Sequence, residues 1–564
     1  MRAASHALLL AAALSAVDAR GASPEQATLV LSGGRIWTGD PARPWAEALA
    51  VGGDRILAVD STRAVSSLVG PATRRLELGG RFAMPGINDA HIHFLRGCAR
   101  LSQVDLNDAG SLAEMQERVA RFARQHPPSS GAWVLGYGWQ YSALPGQRLP
   151  TRHDLDAAVA DRPVYLAAYD GHTGWANTRA LELAGVTAGT RFEGWGEIVL
   201  DPGSGEPTGV LKEQAQTLIT KAIPPASHEE QRAALRRGIA LAASLGITSI
   251  QNAHGTPDEV ELFREALEAG ELTLRVGVAQ TLRPPVGPER VEEIRTLAAR
   301  HASGPLRVGA VKLVVDGVIE THTAALLAPY SDEPDTTGMP AWTQPRLNEV
   351  VAQADRAGLQ VYVHAIGDAG VRMALDALEH ARRVNGPRDA RHRVEHIETV
   401  DPADLPRFRA LGALASMMPI HADPGTIDVW ARAVGPERSS RAFAWRLLRD
   451  AGATLVFSSD WPSALTLNPW RGLHCAVNRQ TAAGQPPGGW VPEHRIPVEE
   501  ALSAYTRAGA HAEFQEQEKG RLAPGMLADI IVLSANPLDL APGELHTLGA
   551  DVTIFGGRVV HEAR

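Results

Sequence analysis

Six side chains of metal-binding type stand in, or at the end of, short apolar runs of this sequence. His91 and His93 lie one residue apart in MPGINDAHIHF (84–94). Lys312 lies in VKLVV, His364 in VYVHAI, His396 in RVEHI and Asp460 in SSDWP. Residues two apart on a strand share a face, so His91 and His93 present their imidazoles together. One such pair among 20 histidines defines no site; the other four residues give it meaning. Imidazole and carboxylate ligands suit zinc, manganese, iron or nickel, and a position left open to water makes such a site catalytic. Four histidines and an aspartate suffice for one or two divalent ions, two if one group bridges them. A lysine buried beside such ions is driven toward the neutral amine. That amine can add carbon dioxide to give a carbamate, an anion able to bridge. Pairing of Lys312 with Asp316 or Glu320 is the other reading of the same residue.

The elements that must position these groups are legible as eight strand-like runs: 86–93, 247–252, 272–280, 306–315, 360–366, 392–397, 412–418 and 453–460. Helical stretches such as 228–245, 343–357 and 371–383 fill the intervals, a β/α alternation that predicts a (β/α)8 TIM-like barrel over 83–509. In such a barrel the C-terminal ends of different strands converge on one pocket. Residues 100–225 interrupt the alternation and are expected to form an insertion after the first strand. The two ends of the chain share a style of short strands and Gly-Gly turns, as in ATLVLSGGRIWTGD (27–40) and DVTIFGGRVVHEAR (551–564). Residues 25–82 and 510–564 are therefore expected to build one small β-sandwich domain from both termini.

Composition narrows the function classes. The chain has 564 residues, 44% hydrophobic and 21% charged, with a net charge of −9, and no basic stripe that would suit nucleic acid. Residues 1–22 read as a signal peptide, with a short apolar run behind Arg2 and a cleavage point near Ala19, so an exported, periplasmic or secreted protein is expected. No later stretch reads as a membrane span. Cys98 and Cys475 could pair in an oxidising compartment but form no disulfide framework, and free thiols are the preferred reading.

Together the DAHIH motif, the Lys312 run, the two separate histidines and SSD resemble the amidohydrolase superfamily. GRLAPGMLADIIVL (520–533) is similar to the closing segment of its urease-like members. DGHTGWANTRAL (170–181), VKLVVDGVIETHTAALLAPYSD (311–332), HAIGDAG (364–370), RVEHIETV (393–400) and SSDWPSA (458–464) resemble the subgroup of N-substituted formamide deformylase and the YtcJ-like proteins. The resemblance implies that His91, His93 and Asp460 bind one metal ion, and that His364 and His396 bind a second. A carboxylated Lys312 would bridge the two, with zinc as the expected metal. It further implies hydrolysis of a small-molecule N-acyl or N-formyl amide by a metal-activated water, with Asp460 as general base and then general acid. His172 is the candidate for an oxyanion donor or substrate contact. His322, Arg479 and His421 are weaker pocket candidates, each with a structural role as the other reading, and Trp139 is a further weak substrate-binding candidate. Asn88 stands where an isoleucine usually precedes the aspartate, and Asn252 and His254 where many relatives place an acidic residue; neither departure is expected to touch the ligand set. Esterase, lactonase or decarboxylase chemistry on the same scaffold, or a secreted metal-binding protein without turnover, are the alternative functions, and a homodimer is left open.

Overall fold

The structure, a computed structural model, describes residues 26–126, 133–144, 148–169, 173–193, 196–464 and 466–563. The leader and His172 lie outside the described residues. Eight parallel strands form the centre: β1 Ile87–Ile92, β2 Ile247–Gly255, β3 Arg275–Thr281, β4 Leu306–Val314, β5 Gln360–Ala365, β6 Arg393–His396, β7 Leu414–Met417 and β8 Thr454–Phe457. They are ordered sequentially from β8 to β1 in one sheet, each paired with the next. Most of their residues are buried, because helices cover the outside and side chains fill the inside, so the strands read as apolar runs rather than alternating ones.

The helices between them start where the sequence supplies caps. Ser227 and Glu230 form a reciprocal capping box before helix His228–Ser244, and Thr256 and Glu259 do the same before Pro257–Glu268. Their apolar faces join the strands in one continuous core that includes Ile239, Phe263, Val311, Val363 and Leu375.

No ladder joins β8 to β1. The seam is closed by the chain just beyond β8: the Asp460 N–H donates to the His91 carbonyl (2.9 Å), and the His93 N–H to the Trp461 carbonyl (2.9 Å). The buried Asp89 carboxylate adds a third tie by accepting from the Ser459 N–H at 3.0 Å. Its burial pushes its pKa up to about 7.

Two further sheets pack on one another beside the barrel. One has the order 55–60, 48–52, 27–32, 69–77; the other runs 558–562, 550–555, 530–533, 82–85, 35–37, 45–46. Leu31, Leu49 and Val51 of the first share a core with Ile36, Ile530, Val532 and Ile554 of the second. Strand Phe82–Pro85, held between an N-terminal and a C-terminal strand, runs through Gly86 directly into β1. A fourth sheet, ordered 196–200, 207–213, 173–176, 164–168, 134–139, 104–105, lies within the segment between β1 and β2. Trp139 and Trp175 fill its core with Leu166 and Val119. Cys98 and Cys475 are both buried and free.

Candidate metal centre

All six candidate ligands meet at the C-terminal mouth of the barrel. Nitrogen atoms of His91 and His93 and a carboxylate oxygen of Asp460 lie within 4.8 Å of one another, and atoms of His396, His421 and Asp460 form a second such group. Asp460 belongs to both. Its Oδ1 is 3.1 Å from His93 Nε2 and 3.6 Å from His91 Nε2, while its Oδ2 is 3.4 Å from His421 Nε2. The ring of His396 is centred 5.0 Å from that of His91 and 4.3 Å from that of His364. Register explains the stacking: Lys312 of β4 lies opposite Tyr362 of β5, and Val314 opposite His364. Lys312 therefore sits one layer deeper than His364, with its Nζ 3.2 Å from His91 Nε2.

The backbone is strained where the ligands sit. His396 and Ile397 have φ of 75° and 52°, and Asp460 has 56°, values that non-glycine residues seldom adopt. These residues stand at or just beyond the ends of β6 and β8, where the chain leaves the sheet.

Burial shapes the electrostatics. His91 and His396 are held well below the usual histidine range, first by burial and then by Lys312 and the neighbouring histidines, and burial takes His364 down to about 3. Burial also brings Lys312 down to about 8. Asp460 goes the other way: burial raises it, but His93, His421 and Lys312 together hold it below the usual carboxylate value. Pairing of Lys312 with Asp316 is not made. Asp316 is spent on the backbone N–H groups of Ala325, Ile366 and Gly367 at 2.9–3.0 Å, which pin the loop after β4 to the end of β5. That loop sets the Gly317 carbonyl 3.2 Å from His364 Nε2.

A divalent ion fits this donor set. Both ring nitrogens of His396, His421 Nε2 and Asp460 Oδ1 are buried without a hydrogen-bond partner. Buried polar atoms are rarely left so, and a cation is the partner that imidazole lone pairs and a carboxylate oxygen share.

The residues proposed for substrate contact fare differently. Arg479 is wholly buried, and its guanidinium donates to the carbonyls of Trp490, Phe443 and Ala442 between the rings of Trp445 and Trp490, so it has nothing to offer a substrate. Trp139 is wholly buried in the inserted sheet, its Nε1 donating to the Leu166 carbonyl, so it builds that core instead of a pocket wall. His322 pairs with Asp332 at 2.8 Å and Glu333 at 3.4 Å in the loop after β4. His421, a weak pocket candidate from sequence, faces Asp460. It is backed by Glu398, whose Oε1 is 3.5 Å from His421 Nδ1 and whose Oε2 accepts from Trp430 Nε1 at 2.7 Å. His254 is nearer than expected, its ring 5.7 Å from that of His93 and its Nε2 2.9 Å from Arg283. Asn252 accepts from the Phe94 N–H, behind His93, and Asn88 lies away from the site against Gln251. Glu395, one residue before His396, was not singled out from sequence; its Oε2 is 2.8 Å from His91 Nδ1.

An eight-stranded barrel with histidines and an aspartate gathered at its strand ends is the architecture of a metal-dependent hydrolase. The chain belongs to the amidohydrolase family, whose model matches residues 76–561. It is 32% identical to the protein LONG AFTER FAR-RED 3 of Arabidopsis thaliana, over 91% of this chain and 88% of that one. It is 29% identical to the N-substituted formamide deformylase of Arthrobacter pascens, over 95% and 98%. Among solved structures it resembles an uncharacterized metal-dependent hydrolase from Pyrococcus furiosus, with a TM-score of 0.73 and 28% identity over 91% of this chain and all of that one.

Proposed function

We propose that this protein is a metal-dependent amidohydrolase that cleaves a non-peptide carbon–nitrogen bond, an N-acyl or N-formyl amide of a small molecule. The observation that carries this reading is Asp460, whose two oxygens divide between the His91–His93 pair and His421. In this reading His91, His93 and Asp460 would hold one ion and His364 and His396 a second, with Lys312, as its carbamate, a further ligand and zinc the proposed metal. An ion so held supplies Lewis acidity, acidifying a water and polarising the amide carbonyl.

The chain's own groups then manage the proton. Asp460 accepts it from the attacking water as the new carbon–oxygen bond forms, a general-base role. It keeps the proton within the shielded site and delivers it to the nitrogen as the carbon–nitrogen bond breaks, so that amine and carboxylic acid leave. His421, backed by Glu398, faces Asp460 Oδ2 at 3.4 Å, within reach of that proton. His172 is proposed as the donor to the tetrahedral oxyanion. The similarity to the formamide deformylase supports the N-formyl amide over other acyl groups.

The test is a panel of N-substituted formamides, longer N-acyl amides, esters and lactones, offered to zinc-loaded and metal-stripped protein. Formate release from a formamide, abolished by stripping and restored by zinc, is the expected result. Turnover confined to esters or lactones would overturn the amide assignment. Export after cleavage near Ala19 belongs to the same proposal, and N-terminal sequencing of protein recovered from the periplasm or medium checks it.

A further inference from the structure

Glu395 and His91 lie 304 residues apart in sequence and meet inside the barrel, with Oε2 2.8 Å from Nδ1. Both side chains are wholly shielded from solvent. Consecutive residues of a regular strand point to opposite sides, so Glu395 and His396 could not both address the site from an undistorted β6. The φ of 75° at His396 removes that restriction, letting one side chain reach His91 Nδ1 while the other faces the ligand cluster.

An imidazole ligates through a lone pair, and the nitrogen that carries the proton cannot serve. A carboxylate facing Nδ1 accepts the proton's hydrogen bond there and leaves the lone pair on Nε2. On the other side of the ring, His91 Nε2 faces Lys312 Nζ at 3.2 Å. Nε2 is the atom turned toward Asp460 Oδ1, at 3.6 Å.

We propose that Glu395 is a positioning residue of the metal centre: it fixes the proton of His91 on Nδ1, aims Nε2 at the ion shared with His93 and Asp460, and places a negative charge behind that ligand. This rests on the reading of His91 as a ligand given above. Carboxylates behind metal-bound histidines typically govern affinity by ~10–100-fold.

The experiment uses the full chain, stripped of metal and titrated with zinc against a chromophoric chelator, then with cobalt while the visible spectrum is recorded. Glu395→Leu, apolar and close in size, is expected to weaken one equivalent of zinc by ~10–100-fold and to alter the cobalt bands. Glu395→Gln keeps an acceptor without the charge and is expected to lose less, about tenfold, the low end of that range. Melting of the metal-free variants is recorded separately, because a merely structural Glu395 would lower it and leave affinity untouched. Wild-type zinc affinity in either folded variant overturns the proposal. A wild-type chain that takes up no zinc overturns the ligand reading of His91 along with it.

Discussion

Replacing Asp460 with asparagine tests the chemistry while sparing the fold. Asparagine has nearly the same size, and it is among the few residues that tolerate the left-handed φ of 56° at this position. The backbone tie from the 460 N–H to the His91 carbonyl is unaffected. What disappears is the charge facing His93 at 3.1 Å and His421 at 3.4 Å. Asp460 Oδ1 and His421 Nε2 form no hydrogen bond that the substitution would break, and asparagine keeps an oxygen there, so the loss of stability is expected below the ~3 kcal/mol that a hydrogen bond to a charged group contributes. The catalytic loss is larger. A positioned general base accounts for roughly 10²–10⁴ in rate, about 2.7–5.5 kcal/mol in the barrier, and an amide side chain cannot replace it. Formate release from an N-substituted formamide, measured alongside metal content, separates this from simple loss of the ion. Turnover near the wild-type rate in a metal-replete Asp460→Asn protein would refute the proton-handling role derived from its geometry.

Lys312→Ala is expected to lose metal and activity together, and short carboxylic acids added to the buffer should restore part of both by occupying the vacated space; elemental analysis with and without acetate reads this out. Asp355 predicts a pH effect far from the site. It is nearly buried and accepts from Arg388 at 2.6 Å, Asn385 at 2.8 Å and His392 at 3.1 Å. Burial raises its pKa, but these partners outweigh burial and hold it well below the usual carboxylate range. A depressed folded-state value means that the stability it contributes is fully present above about pH 4, the unfolded value, and is lost as pH falls through the folded one. Asp355→Asn should therefore cost about 1–3 kcal/mol at pH 7, with the gap to wild type closing in strong acid; urea unfolding between pH 2.5 and pH 7 measures it.

The barrel was legible in the sequence because its strands are buried on both faces. Such strands read as short apolar runs at regular intervals, and a polar residue ending each run is conspicuous. Lys312 stood out for the same reason, being the one cation inside VKLVV. Glu395 did not stand out, because strand alternation assigns it to the face opposite His396, and only the left-handed turn at His396 brings both to the site. His421 and Glu398 follow their strands at distances that carry no periodic signal. Arg479 and Trp139 show the converse. Their residue types suit a substrate pocket, but their surroundings, three backbone carbonyls for one and the core of the inserted sheet for the other, come from segments whose packing no local pattern reveals.

The strand that leads into β1 has a consequence for synthesis. Phe82–Pro85 is flanked by Arg35–Trp37 on one side and by Ile530–Leu533 on the other. Until residue 530 and its neighbours leave the ribosome, that strand keeps an open edge, and unpaired edges of this kind recruit other chains. The strand that leads into the His91 and His93 segment is thus translated early and gains its second flanking strand late, so the nascent chain has reason to be kept apart from its neighbours through most of its synthesis.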